Sequence, residues 1–161
     1  RGNIQMKELI ILTTIIFVSR FLPGLDNFTP ILAFALLAPM LTNNKYLQYG
    51  LPLSIMLLSD PLLGGFSNAT PFVYSAIAFA TLIGNLFKNE TNHVFKVLFV
   101  GASWHCFMLP TIFMHGDSTY FGQVHADLLI LTSTGITYFT FLFVSNMINI
   151  FKEITNGEEL F

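Results

Sequence analysis

Charge is what this sequence has least of. Seven basic and nine acidic residues make up 10% of its 161 positions, against roughly a quarter in an average soluble domain. A water-soluble surface of this size cannot be covered with so few. Cysteine is almost absent too: Cys106 stands alone, which excludes an intramolecular disulfide. No basic tract occurs and the net charge is −2, so nucleic acid has no electrostatic foothold. Gly-x-Ser-x-Gly, His-Glu-x-x-His, a phosphate loop and a dinucleotide fingerprint are all missing. No enzyme, no cofactor and no built-in ATPase are expected.

What fills the space is apolar. Hydrophobic residues make up 53% of the chain, 18 of them phenylalanine, and the mean hydropathy is +0.66. Lipid is the solvent in which such a composition makes sense. The expectation is an all-α, polytopic integral membrane protein, one transmembrane helical domain over residues 1–161, placed in the inner (cytoplasmic) membrane with the bilayer as its first partner.

A membrane-crossing helix takes about 20 mostly apolar residues. Breakers and polar turns divide the chain into six candidates: about Glu8 to Leu22, Phe28 to Leu41, Tyr46 to Leu63, Pro71 to Phe87, His93 to Met114 and Asp127 to Phe151. Pro23-Gly24 stops the first, Gly64-Gly65 the third, and Pro71 suits the first turn of the fourth. The second is short, so it must tilt, thin the bilayer or lie inside the bundle. The fifth is expected to be interrupted at Pro110. Gly116 to Ala126 reads as a polar loop with room for a short interfacial helix. The apolar run Leu9 to Val18 is like a signal-peptide core, but no small-residue cleavage site follows it, so a retained first helix is expected.

Basic residues orient this six-helix bundle. With both termini on the cytoplasmic side, that side holds Arg1, Lys7, Lys45, Lys88, Lys96 and Lys152, and the outer side only Arg20. The positive-inside rule asks for this asymmetry, and an odd number of crossings destroys it. Lys96, just inside the fifth crossing, is expected to snorkel to the headgroups.

Ionisable groups inside spanning segments are costly and mark either function or a structural pair. Arg20 and Asp60 fall at similar outer depth, so an ion pair is expected, open between a substrate contact and a lock on helix register. Asp26, Asn27 and Thr29 suit a helix N-terminus and lie on the same side. So do the His-x-Asp pairs His115/Asp117 and His125/Asp127, whose spacing could take a divalent cation but which read instead as solvated loop residues. Together these predict a polar outer vestibule. His105-Cys106 invites a metal reading, but neighbours on a helix diverge by about 100°, so helix–helix hydrogen bonding by His105 is expected instead, with no metal. Ala76, Ala80 and Gly84 form a small-residue stripe suited to close packing, within the chain or against a partner.

Two runs carry a family likeness. Arg20-Phe21-Leu22-Pro23, then Asn27-Phe28-Thr29-Pro30 with Ala33, is one; Leu51-Pro52-Leu53 with Met56 through Gly64 is the other, sharpest at Ser59-Asp60. They resemble a family of small bacterial membrane proteins of uncharacterised function, itself similar to the substrate-binding S components of energy-coupling-factor vitamin transporters. The resemblance implies a six-helix bundle that captures a micronutrient from outside and works with a membrane partner subunit that supplies the energy. Arg20, Asn27 and Asp60, with His115 and His125, are then expected to line or organise the ligand site. A structural or accessory subunit of a larger membrane complex is the alternative.

Overall fold

The structure, a computed structural model, describes residues 6–22, 30–115 and 120–157; for Met6, Glu8, residues 113–115 and residues 149–157 it describes the backbone only. Among the described residues there are six α-helices and no strand: α1 (Met6–Ser19), α2 (Ile31–Leu41), α3 (Lys45–Ser59), α4 (Thr70–Leu86), α5 (His93–His115) and α6 (Tyr120–Gly157), with a 3-10 turn, Asp60–Leu62, after α3.

Local chemistry sets the ends. Asn44 caps α3, its side-chain oxygen accepting the Tyr46 N–H at 2.9 Å. Asn92 does the same for α5 through the Phe95 N–H at 3.0 Å. Pro71 occupies the first turn of α4, where its missing N–H costs nothing. Gly64 and Gly65 leave the 3-10 turn at φ 126° and 89°, a backbone region that side chains with a β-carbon avoid.

α2 is the axis of the bundle. It contacts every other helix, and Ile31 to Pro39 are all buried. At 1.5 Å per residue its 11 residues reach about 16 Å, so of the three options open to a short apolar helix it takes the one inside the bundle. Its closest neighbour is α4. Ala76, Ala80 and Gly84 are buried in that contact, and a β-carbon added at Gly84 would lie 2.4 Å from the Leu36 carbonyl oxygen. The small-residue stripe is thus consumed within the chain, not held out to a partner.

Successive helices run antiparallel. Lys88 Nζ donates to Asn43 Oδ1 at 3.1 Å, which puts the α2–α3 and α4–α5 turns, with Lys45 and Lys88, at one end. Arg20 and Asp60 meet at the other. α5 and α6 pair in a steady register: His93 faces Tyr138, Val97 faces Gly135, Gly101 faces Leu131 and His105 faces Asp127.

Three expectations need correction. α5 runs through Pro110 without interruption; the proline removes one backbone bond while the packed neighbours keep the helix course. The segment 120–126, read as part of a loop with room for a separate short helix, is the first two turns of α6 itself. Lys96 does not snorkel: it is 2% exposed, inside the bundle.

Two segments are long and apolar enough to cross a bilayer, His93–Ile112 and Tyr120–Ile148, while Leu9–Ser19, Ile31–Leu41 and Thr70–Leu86 are shorter apolar helices. Large apolar side chains stand on the outside, among them Ile10, Ile15, Leu86, Leu98, Ile136 and Phe143. Polar ones are enclosed, including Gln48, Ser59, Thr81, Asp127, Ser133 and Thr134.

Candidate functional site

Two polar networks occupy the bundle. The first joins the end of α1, the end of α3 and the first turns of α4. Arg20 Nη2 lies 3.0 Å from Asp60 Oδ1, each side chain 13% exposed. Arg20 Nη1 donates to Ser59 Oγ at 2.7 Å and also meets the Met56 sulfur. Ser59 in turn donates its hydroxyl to the Ile55 carbonyl oxygen at 2.6 Å. Tyr74 closes the circuit by donating its hydroxyl to Asp60 Oδ2 at 3.0 Å. Both carboxylate oxygens and both terminal guanidinium nitrogens therefore have partners, the condition under which a poorly hydrated ion pair is tolerated.

The local sequence explains the placement. Asp60 opens the 3-10 turn ahead of Pro61, and its own carbonyl accepts the Leu63 and Gly65 N–H groups at 3.1 and 2.8 Å. The chain must turn there, which holds the carboxylate at the mouth of the α3–α4 connection. Arg20 follows the last turn of α1, within reach because α1 packs on α3.

The second network lies between α5 and α6. Asp127 Oδ1 accepts Trp104 Nε1–H at 3.0 Å and Gln123 Nε2–H at 2.8 Å. Asp127 Oδ2 lies 2.5 Å from His105 Nδ1. The expected helix–helix hydrogen bond of His105 is present. Its partner, Asp127, is buried within α6 and is not a solvated loop residue. His125, two residues earlier, is exposed on the opposite side of the same helix. A helix turns about 200° over two residues, so this His-x-Asp pair cannot converge on one ion. Among the described residues no group of three or more His, Cys, Asp or Glu is placed to hold a metal. Cys106 is exposed and takes no part in the network.

Of the residues expected to line one outer site, the fold joins Arg20 and Asp60. His125 is elsewhere, on α6. Asn27, Asp26 and Asp117 lie outside the described residues, as does the His115 side chain. Sequence reasoning missed Tyr74 and Gln123. Tyr74 carried a usable signal, a phenol in the first turns of the helix that begins beside Asp60. Gln123 carried one as well, four residues before an aspartate and so on its face of a helix.

The fold and its networks define a class: a small helical bundle, apolar outside, organised by ion pairs and polar contacts within, with two helices of bilayer-crossing length. Residues 2–152 match DUF6580, a family of unknown function, and the chain belongs to that family. No curated protein and no solved structure shows significant similarity to it.

Proposed function

We propose that the chain is a six-crossing membrane protein with both termini in the cytoplasm, and that it captures a small micronutrient at its outer end as the substrate-binding subunit of an uptake transporter. The observation that carries the reading is the Arg20–Asp60–Tyr74 network, a largely buried charged cluster at the end of the bundle opposite Lys45 and Lys88. Three further features support it. The exposed apolar faces suit lipid contact better than water. Lys45 and Lys88 share the end opposite Arg20, the asymmetry required by the positive-inside rule. Around Asn27 and Asp60 the sequence also resembles a family of small membrane proteins that is itself similar to S components. In this arrangement a guanidinium, a carboxylate and a phenol offer donors and acceptors to a polar, ring-bearing nutrient, and a membrane partner drives release inward.

A second reading is favoured by one observation: the network is already saturated by its own members. That suits a register lock in an accessory subunit of a larger complex. Mass spectrometry of small molecules retained through mild purification separates the two. A transport subunit yields a retained compound that disappears when Arg20→Met and Asp60→Leu are combined, with helicity unchanged. Uptake unaffected by deletion of the chain, together with no retained compound, leaves the accessory role.

A further inference from the structure

We infer that His105 and Asp127 form a proton-binding site inside the bundle, distinct from the Arg20–Asp60 pair and independent of the uptake reading. An ionised carboxylate only accepts hydrogen bonds. Three donors converge on Asp127: Trp104 and Gln123 on one oxygen, His105 on the other. Indole and amide keep their protons at any physiological pH, so the imidazole is the one donor that exchanges. Its Nδ1 is engaged with the carboxylate, which leaves Nε2, on the far edge of the ring, to take up and release a proton.

The enclosure is asymmetric. The Asp127 side chain is 10% exposed and that of His105 27%. A sealed acid behind an open base is suited to proton exchange at the base. Nε2 takes up its proton through the exposed part of the ring, near which the exposed Tyr120 ring lies 6.0 Å away, centroid to centroid. The product is an imidazolium–carboxylate pair with no net charge. Release of that proton to water restores neutral imidazole and leaves one negative charge in the bundle. The two states differ by a full charge in a weakly polarisable interior, where such a difference is costly, so each exchange alters how firmly α5 holds α6.

Few other titratable groups bear on the pair. α2 has none and α4 has Tyr74 alone, bonded to Asp60. α5 adds His93, Lys96, Cys106 and, at its last residue, His115, whose side chain lies outside the described residues; α6 adds Tyr120, exposed His125 and Tyr138, with Lys152 and Glu153 beyond the span. His93 and Tyr138 pair with each other at the far end of the α5–α6 contact.

Trp104 is the only tryptophan in the chain, so its emission reports on this carboxylate. Full-length protein in lipid nanodiscs is titrated from about pH 5 to 8.5, the range in which imidazole exchanges, with far-UV circular dichroism confirming the fold. A single sigmoidal change in emission at constant helicity is expected. His105→Gln, which keeps an N–H for the carboxylate, flattens it. Asp127→Asn, which removes the carboxylate's charge beside the ring, moves the midpoint. If Asp127→Asn does not fold, Gln123→Met serves, since it strips one donor from the carboxylate and also moves the midpoint. Flat emission in the unaltered protein, an unchanged transition in His105→Gln, or an unmoved midpoint in the folded carboxylate variant overturns the inference.

Discussion

Gly84 is the position where one added carbon should be felt most. Its Cα faces the Leu36 carbonyl across the α2–α4 contact, and an alanine β-carbon there would sit 2.4 Å from that oxygen and 3.1 Å from Pro39 Cγ. A carbon and a carbonyl oxygen approach comfortably to about 3.3 Å, so the two backbones must separate by about 1 Å. α2 is buried on all sides and has nowhere to retreat. Overpacking costs about 1–3 kcal/mol, and a backbone obstacle belongs in the upper half of that range. Alanine returns about 1 kcal/mol of helix propensity, for a net loss of about 1–2 kcal/mol. Reversible unfolding in mixed micelles, followed by Trp104 emission, measures it. Two controls bracket the result. Gly50→Ala meets nothing within 4 Å and is expected to gain about 0.5–1 kcal/mol. Gly101→Ala meets the tip of the Leu131 side chain at 2.5 Å, which can swing aside, so its loss is smaller than that of Gly84→Ala. A Gly84→Ala protein as stable as the Gly50→Ala control refutes the close α2–α4 contact.

Removing one member of the Arg20–Asp60 pair strands the other charge. Asp60→Leu is expected to cost about 3 kcal/mol, and combining it with Arg20→Met should recover most of that; losses that simply add in a double-mutant cycle would show that the pair does not interact. Tyr74→Phe removes one hydrogen bond to Asp60 and should cost about 1 kcal/mol in the same unfolding measurement. In a Cys106→Ser background, single cysteines at Asn43 and Asn68 should label from opposite sides of the membrane. Labelling from one side removes the alternating six-crossing topology.

Much of the bundle was legible in the sequence. Hydropathy, Pro and Gly located six helices, because apolar runs and breakers act locally. Similar depth was enough to pair Arg20 with Asp60, since a charge at the end of an apolar helix needs a partner at the same level. His105 was legible as a hydrogen-bonding residue, yet its partner was not. The polar character of 116–126 concealed the first turns of α6, and starting that helix at Asp127 placed the aspartate at the mouth of the bundle. Beginning it at Tyr120 brings Asp127 level with Trp104 and His105, whose donors then account for a buried acid.

By itself the sequence determined an apolar, all-helical chain with its charges sparse and confined to particular levels, because composition and period are properties of the chain alone. Only tertiary structure decided that α2 forms the axis, that the stripe ending at Gly84 is spent on α2, and that Asp127 faces α5. Those outcomes depend on which faces meet and in what register, and register is a choice among packings that residues distant in the sequence make together.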